Sequence, residues 1–247
     1  MTAPLFLVDA GALDGLGVGA TYVLEGPEGR HATTVRRIGP GERVDVADGS
    51  GAVVRCTVTA AEAGRLVLRV DDRDVAAEPA PRFVLVQALA KGDRDDLAVE
   101  AATELGVDEV VPWQAQRSVV VWRGERGEKA RRKWQTTVRA AAKQARRPRV
   151  PQVGALAHLD DLARRVEQAA LAVVLHEDAE APLAGVAVPT AGEVLLVVGP
   201  EGGISPDELQ RLVACGARVC RLGPHVLRSS TAGPAALAVL SAAARWA

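Results

Sequence analysis

The sequence predicts an α/β protein: a mostly parallel sheet covered on both faces by helices, preceded by a small N-terminal β-barrel. Three observations carry this. From Leu5 to about Val75 the apolar pattern is short and strand-like, whereas beyond Arg82 buried-type strands alternate with longer helical patterns. Near the C-terminal end, two glycine-bearing turns each follow a β-branched run, Val194–Val198 into Gly199-Pro200-Glu201-Gly202-Gly203 and Val219–Leu222 into Gly223-Pro224-His225-Val226-Leu227-Arg228. Strands that end in such turns leave bare main chain at the carboxyl edge of a sheet, where open α/β folds bind ligands.

In chain order, the first strands are expected at Thr21–Leu24, Arg43–Val46, Ala52–Val58 and Arg65–Val70. Turn signals at Gly39-Pro40-Gly41 and Asp48-Gly49-Ser50-Gly51 separate them. The run Ala76-Ala77-Glu78-Pro79-Ala80-Pro81 interrupts regular structure, so the expected domains are a barrel over 1–75, a linker over 76–82 and a second domain over 83–247. In that domain Phe83–Leu89 forms a strand and Asp93 caps a helix through Leu105, with Leu97, Ala101 and Leu105 on one face. Glu109–Trp113 forms a strand, Gly127–Arg146 a basic helix, Asp160–Ala170 a helix, and Leu171–Leu175 and Val194–Val198 strands. Ser205-Pro206-Asp207-Glu208 carries a capping box with Pro at the first helical position. A strand at Val219–Leu222 and an alanine-rich helix from about Pro234 to Arg245 complete the chain. Such alternation implies a sheet buried on both faces.

Composition bounds the function. At 247 residues with 48% apolar content, the chain can bury a sizeable core. Its apolar stretches are too short to cross a bilayer and the N-terminus carries no basic-then-apolar export signal, so a cytoplasmic protein is expected. Cys56, Cys215 and Cys220 have no paired spacing and read as buried spectator thiols, with neither a disulfide nor a metal site supported. The net charge of −1 conceals an uneven distribution. Between Arg117 and Arg149 stand twelve Lys or Arg against Glu125 and Glu128, a local charge of +10 that points to a polyanion partner.

The two turns lack G-x-G-x-x-G and G-x-x-x-x-G-K-[ST], and each contains Pro, which removes an amide donor. A phosphate cradle is therefore not supported. A neutral or cationic ligand with an adenine-like edge suits them better, with main chain reading polar positions and Leu222, Val226 and Leu227 supplying apolar walls.

The segments Lys91–Val107, Val197–Ser205 and Leu222–Ala232 resemble the RsmE family, which methylates N3 of a uridine in bacterial 16S ribosomal RNA with S-adenosylmethionine. The resemblance extends to His31-Ala32-Thr33-Thr34-Val35-Arg36-Arg37 and Gly41, which are similar to the family's N-terminal RNA-binding barrel of PUA type. It implies a C-terminal SPOUT methyltransferase domain whose sheet is closed by a trefoil knot, and a homodimer paired through the terminal helix, where Ala235–Ala243 offers a small-residue face.

Under that resemblance, three strand ends hold the cofactor: Leu175, His176 and Glu177; Gly199, Pro200, Glu201 and Gly203; and Leu222, Gly223, Val226 and Leu227. Arg228 is the candidate to stabilise charge on the uracil oxygens, with a phosphate contact or a salt bridge as its alternative; Glu201 is the candidate proton acceptor, with capping of the following turn or orienting Arg228 as its alternative. His31, Arg36, Arg37, Arg117, Arg139, Lys143, Gln144, Arg146 and Arg147 are expected to contact RNA, and Trp134 to pack the basic helix down. Many members carry an acidic residue where this chain has Ser230, and often Arg or Asn at His225, which leaves the deprotonating group open.

Two alternatives stand beside this reading. A ribose 2′-hydroxyl methyltransferase of the same superfamily would resemble its relatives in an Asn-containing S-x-N-type segment, but the last loop reads Ser229-Ser230-Thr231-Ala232-Gly233. A non-enzymatic RNA-binding assembly factor would explain the barrel and the basic segment alone.

Overall fold

The computed structural model describes residues 3–246, and the chain divides into two compact units. One comprises Met1–Glu78 with Ala142–Val150, the other Pro79–Ala141 with Pro151–Ala247.

Period-2 burial builds the first unit. Strands β1 (Leu5–Leu7), β2 (Thr21–Leu24), β3 (Arg43–Ala47), β4 (Ala52–Glu62) and β5 (Arg65–Val75) form one sheet in the order β1-β3-β4-β5-β2. The β1–β3 pair is parallel and the rest are antiparallel. Ala52, Val54, Cys56 and Val58 of β4 and Leu66, Leu68 and Val70 of β5 point one way, into a core with Phe6, Leu24, Val44 and Val46. Asp48 closes the turn before β4, its Oδ1 accepting from Ser50 N at 2.8 Å and Ala52 N at 3.2 Å.

Two features of this unit lie outside the sequence expectation. A short helix α1 (Gly26–Arg30) runs into one wide turn, His31–Val35. It has no apolar stripe; Gly29 instead lies so close to the β4–β5 turn that an added Cβ would collide with Gly64 O, and it would stand 2.7 Å from Leu24 O at the end of β2. The stretch Ala142–Val150, expected as basic helix and its exit, also joins this unit. Arg149 donates to Ser50 O and Ala76 O, and Val150 N donates to Gly49 O at 3.0 Å.

In the second unit, β6 (Arg82–Ala88), β7 (Glu109–Trp113), β8 (Gln152–Val153), β9 (Leu171–Leu175), β10 (Glu193–Val198) and β11 (Arg218–Cys220) form a sheet in the order β11-β9-β10-β6-β7-β8, every pairing parallel. Helices α2 (Arg94–Glu104), α3 (Gly124–Gln144), α4 (Leu159–Gln168), α5 (Pro206–Ala214) and α6 (Ser229–Ala244) connect and cover it. Leu162 and Val166 of α4 and Leu212 of α5 pack on Val84, Val86, Val174, Leu195 and Val197. The opposite face takes α2 and α6.

Two helical expectations and one about the cysteines are corrected. The buried face of α2 is Asp95, Ala98, Val99, Ala102 and Thr103, while Leu97 is 56% exposed and Ala101 and Leu105 are half-buried. The terminal helix starts at Ser229 instead of Pro234. Close packing explains that early start despite the proline: a Cβ on Gly233 would meet Leu85 Cδ1 at 2.8 Å, so the Gly-Pro step is the place where α6 touches the sheet. Cys56 and Cys220 are buried, but Cys215 is not, and its Sγ donates to Glu167 at 3.2 Å.

Charged side chains close the amino edge of this sheet. Arg165 of α4 donates to both carboxylate oxygens of Glu109, at 2.9 and 2.6 Å, and to Glu193 at 2.7 and 2.8 Å; Arg82 reaches the same two acids. Burial raises the Glu109 pKa, yet the hydrogen bonds and charge of Arg165 and Arg82 outweigh it and hold the carboxyl below its ordinary value. A lowered folded-state pKa contributes stability above the unfolded value and loses it as pH falls through the folded one. Glu109→Gln should therefore cost about 1–3 kcal/mol of unfolding free energy at neutral pH. In urea titrations the gap to wild type should close as pH drops below the ordinary glutamate range, and a gap that persists there would contradict the linkage.

Candidate active site

Because all strands of the second unit run the same way, β6, β7, β9, β10 and β11 release their chain at one edge. The segments that follow line a cleft of about 830 Å³. Leu175, His176, Glu177 and Asp178 come from the end of β9, Val198 to Ile204 from β10, and Val226 to Ser229 with Ala232 from the segment after β11 and the head of α6. Arg94 and Arg117 enter from beyond β6 and β7.

Local chemistry fixes each wall. Gly203 N donates to Pro200 O at 2.9 Å, closing a turn that leaves Gly203 at φ +72°. Directly after it, Ser205 caps α5: its Oγ accepts from Glu208 N at 3.3 Å, and Glu208 Oε2 accepts from Ser205 N at 3.0 Å, the capping box the sequence predicts. Glu208 then uses its other oxygen to accept from Gln116 N at 2.7 Å, which carries the strand-end segment holding Arg117 to α5. Arg117 Nη1 donates to Gly202 O at 3.0 Å. On the β9 side, His176 N donates to Cys220 O at 3.0 Å and its Nδ1 accepts from Asp178 N at 3.2 Å.

Leu175, His176, Glu177, Gly199, Pro200, Glu201, Gly203, Val226, Leu227 and Arg228 thus share one cleft. Leu222 and Gly223 line a smaller adjoining hollow of about 90 Å³ with Leu175–Glu177, His225 and Val226. Val226 is 75% and Leu227 38% exposed, apolar surface left open on the cleft wall.

Glu201 has company the sequence did not announce. Its Oε1 accepts from Arg94 Nη1 at 2.7 Å and from Lys91 N at 3.1 Å. Burial would raise this carboxyl, but backbone hydrogen bonds at Glu201 and Lys91 and the Arg94 guanidinium lower it overall. Arg94 is a cleft residue that sequence reasoning missed; only its position at the head of α2, between two strand ends, could have marked it. Ser229 was missed too: it is buried at the head of α6, and its Oγ has no hydrogen-bond partner among the described residues.

The candidate RNA residues fall in both units. His31, Arg36, Lys143, Gln144 and Arg146 line one hollow of about 280 Å³ in the first unit with Pro4, Leu5 and Phe6. Lys143 Nζ stands 5.3 Å from the Phe6 ring centre and binds Glu28 at 2.7 Å. Arg37 is exposed with φ +54°, and Arg147 is half-buried. Arg139 is exposed on α3, whereas Arg117 lines the cleft of the second unit.

The +10 segment is also less free than its sequence implies. Arg131 binds Val153 O and Gly154 O, Lys133 pairs with Asp96, and Arg149 pairs with Glu78. Among the described residues, Arg123, Arg126, Lys129 and Arg132 remain exposed without a side-chain partner. Trp134 is buried against Trp122, ring centres 5.2 Å apart, as expected. No group of three His, Cys, Asp or Glu among the described residues is arranged to hold a metal ion.

Comparison with known proteins now decides the family. Residues 77–241 match the RNA methyltransferase domain family, and residues 24–71 the RNA methyltransferase PUA domain. The chain is 45% identical to ribosomal RNA small subunit methyltransferase E of Mycobacterium tuberculosis, over all of this chain and 94% of that protein. The chain belongs to the ribosomal RNA small subunit methyltransferase E family. The Bacillus subtilis member is 28% identical over 90% of each chain. The crystal structure of the Neisseria gonorrhoeae member, bound to S-adenosyl methionine, superposes with a TM-score of 0.83 at 26% identity, covering 98% of each chain. Members of this family are enzymes, and the α/β architecture with an N-terminal PUA domain is theirs.

Gly199 packs tightly within its own loop, where a Cβ would meet Ile204 Cγ1 at 2.7 Å. Gly199→Ala should therefore overpack the turn and cost about 1–3 kcal/mol. At about 2–4 °C of melting temperature per kcal/mol in a chain of this size, calorimetry resolves the change, and an unaltered melting temperature would show that the turn yields without cost.

Proposed function

We propose that this protein transfers the methyl group of S-adenosylmethionine to N3 of a specific uridine in the 16S ribosomal RNA of the small subunit. One observation carries the reading: a cleft of about 830 Å³ built from strand-end main chain, with Arg228 on its wall, in a chain of the small subunit methyltransferase E family. That volume suits a nucleoside-sized ligand. The cleft also offers what such a cofactor needs, namely open backbone at 199–203 for an adenine-like edge and apolar walls from Val198, Ile204, Leu209, Val226 and Leu227.

When bound, S-adenosylmethionine supplies an electrophilic methyl group on a sulfonium centre. The protein's own task is alignment and charge. The loops after β9, β10 and β11 fix the donor while the extruded base enters beside it, which replaces a bimolecular encounter by a positioned one. Arg228 is exposed on the cleft wall, where its guanidinium stabilises the negative charge that grows on the uracil oxygens as the imide proton leaves. Glu201 lies in the same cleft with its carboxylate held by Arg94.

RNA is gripped by charge. The His31, Arg36, Lys143, Gln144 and Arg146 hollow and the exposed arginines of α3 contact phosphates, which position the nucleic acid without reading its sequence. The finer architecture belongs to the same proposal: a PUA-type barrel over 1–75, a linker over 76–82, a SPOUT domain over 83–247 closed by a trefoil knot, and a cytoplasmic homodimer. In α6, Ala242 and Ala243 are exposed and Ala235 and Ala238 half-buried, which supports a small-residue pairing face. No described helix is long and apolar enough to cross a membrane.

Two outcomes are expected. Nucleosides from small-subunit RNA of a strain lacking this protein should have lost one N3-methyluridine, restored by the wild-type chain; an unchanged profile, or loss of a ribose-methylated nucleoside, would refute the assignment. Arg228→Met should lower kcat about 10²–10³-fold. Its affinity for S-adenosylmethionine should stay near wild type by calorimetry, and a parallel loss of affinity would make Arg228 a cofactor ligand.

A further inference from the structure

We propose that Arg94 is a positioning residue, latching the 199–203 loop through Glu201, and that holding this loop is the work of the Glu201 carboxylate. The inference rests on the reading of the cleft as an S-adenosylmethionine site.

The loop is gripped from two sides. Glu201 lies within the turn closed by Gly203 N and Pro200 O, and its Oε1 receives Lys91 N at 3.1 Å, from the segment after β6, and Arg94 Nη1 at 2.7 Å, from the first residue of α2. On the other flank Gly202 O receives Arg117 Nη1 at 3.0 Å, and a Cβ on Gly202 would meet Arg117 Cβ at 3.3 Å. One strand-end turn is therefore fastened to the chain leaving each of two other strands. A loop that presents main chain to a ligand gains affinity from being held in its binding shape beforehand.

The same contacts argue against proton transfer at Glu201. A base is effective when its affinity for the proton is matched to neutral pH, whereas this carboxylate accepts an arginine N–H and a backbone N–H on one oxygen, both of which favour the ionised form. Deprotonating a weakly acidic imide is poorly served by a group so stabilised.

Calorimetric titration of S-adenosylmethionine into the full-length chain separates the roles, for Arg94→Ala, Arg94→Lys, Glu201→Gln and the double variant Arg94→Ala/Glu201→Gln. Methyl transfer to small-subunit RNA is followed on the same proteins. Arg94→Ala and Glu201→Gln should each weaken binding about fivefold, the size expected of a half-exposed pair. The double variant should bind no worse than either single one, because both remove one interaction. Arg94→Lys should recover most of the affinity, and the losses should fall on KM for the cofactor more than on kcat. Independent, additive losses would overturn the latch. So would unchanged affinity in Glu201→Gln with kcat reduced a hundredfold or more, which would return Glu201 to proton transfer. Failure of the wild-type chain to bind S-adenosylmethionine would overturn the assignment of the cleft, and the latch with it.

Discussion

Parallel pairing is the constraint on which the rest of the second unit depends. With β11, β9, β10, β6 and β7 all aligned, the chain must leave the sheet at one edge after each strand. Each exit is a loop whose backbone groups are not used by the ladder. Helices fill both faces, so loop main chain is presented along that edge, and the cleft forms there. The near-continuous apolar runs of β6, β9 and β10 are the price of this arrangement, since strands covered on both sides have no solvent face to show.

Charge is distributed to match. At the amino edge Arg82, Glu109, Arg165 and Glu193 satisfy one another in a closed network, and Arg245 at the end of α6 binds Pro81 O, Gly106 O and Asp108 while lying 4.2 Å from the Phe83 ring centre. These contacts leave little for a ligand. At the carboxyl edge the arginines are spent differently. Arg94 and Arg117 each hold a flank of the 199–203 turn, whereas Arg228 has no side-chain partner among the described residues. The same residue type thus serves cohesion at one end of the sheet and an open site at the other.

Much of this was legible from the chain. The change of period near Arg82, the Ser205–Glu208 capping box and the two glycine turns are local signals, and local signals survive without knowledge of the fold. What escaped was set by tertiary contact. The α2 face was misplaced because Leu97 looks like a core residue, whereas small side chains such as Ala98 and Ala102 are what fit in the buried face of α2, which packs against α6. Pro234 was taken as a helix start because its missing N–H is most cheaply accommodated in a first turn, but the contact of Gly233 with Leu85 decides otherwise. The +10 segment was read as one surface, although Arg131, Lys133, Lys143 and Arg149 are partnered and Ala142–Val150 belongs to the first unit. Arg94 could not be singled out, because its partner is more than a hundred residues away.

The central claim is that main chain from adjacent strand ends forms a single ligand site. Amide chemical-shift mapping of the full-length protein during titration with S-adenosylmethionine tests it most directly. Perturbed amides should cluster at 175–178, 199–204 and 222–229, with 5–75 unaffected. Shifts confined to the first unit, or to only one of the three loops, would contradict it.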